Sequence, residues 1–290
     1  MINKAYPLSL EGSGPDAKLV VYIQDHSADI DIASRPMVLI CPGGGYGFTS
    51  DREAEPLAMQ FLAMGYHAAV LRYSCAPAIF PTALTELAYS IRLIRQNREE
   101  WHVAPGQVIV LGCSAGGHLA ASLGVFWEKD FLAEIMGEKE DRRIFRPDGM
   151  ILCYPVITSG EYAHRGSFDN LTGGREKELS EKFSAPILEM LSLEKQVDGT
   201  TPPAFIWNTF TDGGVPAENS LLFAWALRRA GVPAEFHMYP CGVHGLSLAN
   251  RLTRNMAGTA VQEECTSWIT LAHTWMEHQY VNAPAGDAEM

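Results

Sequence analysis

The feature that most restricts what this chain can become is the alternation, from residue 18 onward, of short apolar runs with longer amphipathic stretches. The runs read KLVVYIQ, PMVLIC near residue 40, HAAVLRY near 70, QVIVLG near 110, GMILCYP near 152, PAFIWNT near 206 and AEFHMYP near 237. Their β-branched and aromatic content suits strands buried on both faces. Helices are expected at about 52–64, 83–99, 115–127, 216–230 and 259–279. Strands and helices alternating in this way build a mostly parallel central sheet with helices on both faces, an α/β architecture. A chain of 290 residues can bury a core of that kind without metals or disulfides. No internal repeat or low-complexity tract points elsewhere, so residues 1–290 read as one domain.

Local signals refine this outline. Ser50 and Glu53 have the spacing of a capping box ahead of the first helix, while Pro216, Gly231 and Pro233 mark helix entry and exit in a later unit. Residues 157–200 break the rhythm with Gly, Ser and charge, followed by a short helical run around PILEMLSLEK. An insertion after a strand end lies at the ligand-binding edge of a parallel sheet, which makes this segment a candidate lid. The tail NAPAGDAEM is expected to fray.

The formal net charge of −12 argues against a nucleic-acid partner, because phosphate binding needs clustered Lys and Arg. No stretch reaches the ~20 apolar residues of a membrane span, and the first segment, MINKAYPLSLEGSGPDAK, lacks the apolar core of a secretory signal. The six cysteines are spread singly without a CxxC pair and read as buried thiols in a reducing compartment, so the expected location is cytoplasmic. No metal or cofactor is expected. The expected partner is a small molecule, and a homo-oligomer is compatible with the composition.

The chemistry is concentrated in QVIVLGCSAGGHLAASLG, where an apolar strand runs through Gly112-Cys113-Ser114-Ala115-Gly116 into a helix. That is a G-x-S-x-G nucleophile elbow in the strand-to-helix context it requires. Flanking glycines are needed because side chains there would strike the neighbouring strand and helix, and the strained turn then lifts the Ser114 hydroxyl above the sheet. Cys113 should point aside. The new helix aims its unpaired N–H groups, including that of Ala115, at the place where negative charge develops.

A second donor set is expected in Pro42-Gly43-Gly44-Gly45-Tyr46-Gly47, directly after the strand PMVLIC; the amides of Gly44 and Gly45 are the expected oxyanion donors alongside Ala115. A dinucleotide or phosphate loop also follows a strand with a glycine-rich turn. Here Phe48 occupies the third glycine position counted from Gly43, no Gly-Lys-Ser/Thr follows, and the acidic residue expected at the end of the next strand is Arg72 or Tyr73.

A triad running serine, acid, histidine in chain order needs its acid between residue 114 and a later histidine. Asp212 lies just beyond the strand PAFIWNT with Gly213 and Gly214 behind it; Asp169 in the candidate lid is its strongest rival. His244 follows the last strand through Cys241-Gly242-Val243 and is the expected base. His237 lies within that strand and reads as a packed core residue, His118 as structural, and His273 and His278 as solvated surface. Tyr46, Tyr73 and Tyr154 either line the pocket or pack in the core.

Together PGGGYGFTSDREAEPLA, LRYSCAP followed by FPTALTELAYSIRLIRQN, GCSAGGHLAASLG, TFTDGGVPAENS and GVHGLSLA resemble the small bacterial esterases related to acetyl-xylan esterases and hormone-sensitive-lipase-like hydrolases. The resemblance spans about residues 35 to 250 in the expected order. Pro42 stands where lipase-type members carry the histidine of His-Gly-Gly-Gly. The resemblance implies an α/β-hydrolase fold and a serine carboxylesterase that removes short acyl groups, acetyl first, from xylan-derived or other sugars. Two other readings stay open on the same residues: a serine peptidase or amidase, and a non-catalytic ligand-binding homologue.

Overall fold

The computed structural model describes residues 1–138 and 140–281; the tail NAPAGDAEM lies outside the described residues. In chain order the elements are β1 (Ile2–Pro7), β2 (Lys18–Ile23), β3 (Arg35–Cys41), α1 (Glu55–Ala63), β4 (His67–Arg72), α2 (Thr82–Gln96), β5 (Val103–Cys113), α3 (Ala115–Phe126) and α4 (Asp130–Met136). They continue with β6 (Gly149–Cys153), α5 (Arg165–Thr172), α6 (Glu176–Phe183), α7 (Ile187–Met190), β7 (Ala204–Thr209), α8 (Glu218–Ala230), β8 (Ala234–Tyr239) and α9 (Trp268–Met276). All eight strands form one sheet in the order β1-β2-β4-β3-β5-β6-β7-β8. β2 runs antiparallel to β1 and β4, and every pairing from β4 through to β8 is parallel.

The period-two pattern of the strands explains the two helical layers. Along β3, Met37, Leu39 and Cys41 join the core beneath α2, α3 and α8, where Leu87, Ile91, Leu119, Leu123, Phe223 and Leu227 are buried. Val38 and Ile40 face the other way, onto Leu57 and Phe61 of α1 and Trp268, Ala272 and Met276 of α9. Both faces of the central strands are therefore covered, as their unbroken apolar runs require. The expected α/β-hydrolase architecture is the one the chain adopts.

Several local expectations need correction. β1 leaves no signal in the sequence because it is an edge strand whose residues are mostly exposed, so INKAYP shows no apolar run. β8 is the opposite edge and is only partly buried, so His237 is no core residue; it is half-exposed and bonds Glu235 Oε1 at 2.7 Å. His273 is about one-third exposed (34%), and its Nδ1 meets the Tyr66 hydroxyl at 2.5 Å. The cysteines are free, but Cys241 is exposed on the loop after β8 and Cys75 is half-buried. Ser50 and Glu53 form no capping box: Ser50 makes no side-chain cap bond, a short 3₁₀ turn spans Asp51–Glu53, and α1 begins at Glu55. Glu53 turns inward because better partners wait there.

Residues 157–200 hold α5, α6, α7 and a 3₁₀ turn at Leu193–Lys195 rather than an open connection. Phe168, Leu171, Leu179, Ile187, Leu191 and Leu193 from this segment are buried in the main core. Because β3, β5, β6, β7 and β8 are parallel, the loops that follow them all open at one edge of the sheet, where this insertion also packs.

Candidate active site

Ser114 closes β5 and opens α3 with φ 55° and ψ −118°, a strained conformation for a residue with a side chain. The strain is held by backbone bonds on both sides: its N–H donates to Cys153 O at 3.0 Å, and its carbonyl accepts from His118 N–H and Val156 N–H at 3.1 and 3.0 Å. A Cβ at Gly112 would lie 2.1 Å from Gly116 O, and one at Gly116 would lie 2.0 Å from Cys41 O, so neither position accommodates a side chain. Cys113 packs in the core on the α1 and α9 side, where burial pushes its thiol pKa up.

Above the elbow, Ser114 Oγ lies 2.7 Å from His244 Nε2, and His244 Nδ1 lies 2.7 Å from Asp212 Oδ2. The Asp212 side chain is 1% exposed and that of His244 26%. The second carboxylate oxygen of Asp212 accepts the N–H groups of Gly214 and Val215 at 2.8 and 2.9 Å, which fixes the direction of the first. Asp169, the rival acid, is exposed on α5.

The glycine loop is held by its carbonyls. A trans peptide points its N–H opposite its C=O, so anchoring one aims the other. Gly43 O accepts from Ser50 N–H at 2.9 Å, which aims the N–H of Gly44. Gly44 O accepts from Gly47 and Phe48 N–H at 3.0 and 3.3 Å, which aims the N–H of Gly45. The anchored carbonyl of Ser114 does the same for Ala115, whose N–H, as first in α3, has no acceptor within the helix. Gly44 needs to be glycine: φ is +131° and a Cβ there would lie 2.1 Å from Phe48 O.

Tyr46, Tyr73 and Tyr154 are all buried and hold the framework rather than line an open pocket. Tyr73 donates to Pro42 O at 2.7 Å, and Tyr46 Oη lies 2.9 Å from His118 Nδ1. His118 Nε2 meets Leu191 O at 3.0 Å, so its proton sits on Nε2 and its Nδ1 accepts from Tyr46. Burial depresses the pKa of His118 to about 4, and burial likewise takes His67 to about 4. Both titrate near 6.5 when unfolded, so between pH 6.5 and 4 the unfolded chain binds more protons and stability falls with falling pH. Urea unfolding should therefore show stability decreasing from pH 7.5 to pH 5, by about 2 kcal/mol for each histidine. A flat profile over that range would contradict the buried, neutral assignment.

Three residues near the site carry roles that the sequence does not reveal. His164, at the start of α5, places Cε1 3.9 Å from where a Gly45 side chain would begin, and its Nδ1 lies 2.8 Å from Ser167 Oγ. Burial first, and then the nearby His244, lowers its pKa, while Asp212 raises it. Asn170 Nδ2 donates to Gly45 O at 2.9 Å, tying α5 to the glycine loop. Glu53, 3% exposed, accepts from Gly43 N–H at 2.9 Å and from the Tyr154 hydroxyl at 2.7 Å. Its only sequence signal is the Ser50–Glu53 spacing of a cap; the other two sit where no periodicity points to a site.

The BD-FAE family profile matches residues 26–227. The endo-1,4-beta-xylanase B of Butyrivibrio fibrisolvens is 38% identical over 229 residues, which are 76% of this chain and 34% of that protein. An acetylxylan esterase of Xylanibacter ruminicola is 27% identical over 247 residues, 83% of this chain and 46% of that one. The chain thus spans less than half the length of either relative. The crystal structure of an acetyl ester-xyloside bifunctional hydrolase from Caldicellulosiruptor lactoaceticus superposes with a TM-score of 0.76 at 36% identity, covering 90% of this chain and 87% of that one. The family match, the sheet order and this structural likeness together make the chain a member of the BD-FAE family, an esterase-like α/β-hydrolase.

Proposed function

We propose that this chain is a serine carboxylesterase that removes short acyl groups, acetyl first, from acylated carbohydrates of the xylan class. The reading rests above all on the continuous line from Ser114 Oγ through both nitrogens of His244 to Asp212, each step 2.7 Å. His244 Nε2 takes the Ser114 proton as Oγ attacks the ester carbonyl carbon. The carbonyl oxygen becomes an oxyanion and accepts from the N–H groups of Gly44, Gly45 and Ala115, whose anchored peptide planes need no rearrangement as charge appears. Asp212 holds the proton on Nδ1 and stabilises the imidazolium. His244 then protonates the departing alcohol, and a water activated by the same imidazole releases the acid and restores Ser114.

The acyl and alcohol classes are supported by the relatives, two of which carry an acetyl ester activity in their own descriptions alongside xylan or xyloside. The insertion at 157–200 serves as a wall of the site, with His164 beside the glycine loop, rather than as a detached flap. Among the described residues no helix is long and apolar enough to cross a membrane.

The test is a panel of acetylated xylo-oligosaccharides, p-nitrophenyl esters of increasing acyl length, and peptide amides. Acetate release from the acetylated sugars should exceed hydrolysis of the amides by orders of magnitude in kcat/KM. Faster amide cleavage would place the chain with the peptidases instead.

A further inference from the structure

A carboxylate is costly to bury unless both oxygens are occupied, and Glu53 has no ion-pair partner among the described residues. Its two oxygens are instead taken by donors from two different loops. Oε2 accepts the N–H of Gly43 at 2.9 Å, and Oε1 accepts the hydroxyl of Tyr154 at 2.7 Å. Glutamate suits this position for a chemical reason. A glutamine has a single acceptor oxygen: with that oxygen on the Gly43 N–H, its NH₂ meets the Tyr154 hydroxyl, which must turn its proton away and lose its acceptor.

Each arm leads to a different part of the site. On one side Gly43 is clamped through its N–H by Glu53 and through its carbonyl by Ser50 N–H, and that carbonyl shares its peptide plane with the N–H of Gly44. On the other side Tyr154 Oη accepts the N–H of Ser247 at 2.9 Å, three residues beyond His244. The Tyr154 ring also meets the His244 imidazole edge-on, with centroids 5.2 Å apart and planes at 75°. Ser247 Oγ in turn donates to Arg52 O at 2.6 Å, returning the chain of bonds to the residue beside Glu53.

We infer that Glu53 is a positioning residue for the reaction: its carboxylate holds the Gly44 oxyanion donor and the His244 loop in one frame, acting through Gly43 and Tyr154. The inference rests on the reading of Ser114, His244 and Asp212 as the reaction centre. A frame of this kind acts on the transition state more than on the bound ester, because the donor at Gly44 is used fully only when the oxyanion forms.

The test compares the parent protein with Glu53→Gln and Tyr154→Phe, each rate being divided by the number of sites titrated with a p-nitrophenyl phosphonate. In Glu53→Gln, kcat per titrated site should fall by about 10- to 100-fold with KM nearly unchanged, and the affinity for a boronic acid mimic of the tetrahedral state should fall by the same factor. Tyr154→Phe cuts only the arm to the histidine loop; it should lower kcat per site by about 5-fold or more, and the double variant should lose less than the product of the two. A role in folding alone would lower the melting temperature and the titrated fraction but leave kcat per site intact, and that result in Glu53→Gln overturns the inference. If Glu53→Gln yields no folded protein, an unchanged kcat per site in Tyr154→Phe overturns it instead. Failure of the parent protein to react with the phosphonate at Ser114 is a separate result, which removes the underlying reaction centre and the inference with it.

Discussion

Ser114→Ala should lower kcat/KM for acetyl esters by ~10⁴-fold or more while leaving the melting temperature essentially unchanged. The loss is large because the attacking oxygen is removed, and without it no acyl-enzyme forms however well the oxyanion donors are arranged. The fold should be indifferent for an equally local reason. The bonds that hold residue 114 at φ 55° are made by its backbone to Cys153, His118 and Val156, and alanine keeps every one of them. Only one oxygen and its proton are lost from this buried residue, so no large cavity opens. Parallel measurement of steady-state kinetics and thermal unfolding checks both halves. A loss of only a few-fold would mean that another group performs the attack.

Asp212→Asn should cost ~10⁴-fold in kcat by a different route. Asp212 uses one oxygen for the N–H groups of Gly214 and Val215 and the other for His244 Nδ1. Asparagine has a single acceptor oxygen. If that oxygen keeps the two backbone donors, the NH₂ group faces Nδ1 and forces the lone pair there, leaving the proton on Nε2 opposite Ser114. In that tautomer the imidazole cannot accept the serine proton. The loop bonds survive, so the melting temperature should move little. A variant retaining more than about a tenth of the parent kcat would show that the carboxylate neither orients nor stabilises the histidine.

The parts of this molecule that were readable from residues alone are those whose chemistry tolerates few alternatives. The elbow is legible because a side chain at Gly112 or Gly116 would put its Cβ within about 2 Å of backbone oxygens, and because the strand before it and the helix after it are long and apolar. The central strands were legible for the same reason, being buried on both faces. The edges were not: β1 exposes most of its residues, and β8 is half-covered, which misplaced His237 in the core. α5, α6 and α7 are eight, eight and four residues long, too short for a helical period to stand out in a charged, glycine-rich segment, so only the run around PILEMLSLEK reads as helical within the candidate lid. Glu53 shows the sharpest limit. Serine followed three residues later by glutamate is the spacing of a cap, yet the partners that draw the side chain inward, Gly43 and Tyr154, are 10 and 101 residues away in the chain. Local pattern cannot register a contact of that range. The meeting of Ser114, His244 and Asp212, separated by up to 130 residues, shows in the sequence only as chain order and strand ends.

Peptide mapping after treatment with a fluorophosphonate asks most directly whether that meeting makes a nucleophile. One adduct per chain, carried by the peptide containing Ser114, appearing as esterase activity disappears and absent from Ser114→Ala, is the predicted result. An adduct on a different serine, or full activity in a protein that takes up no label, would contradict it.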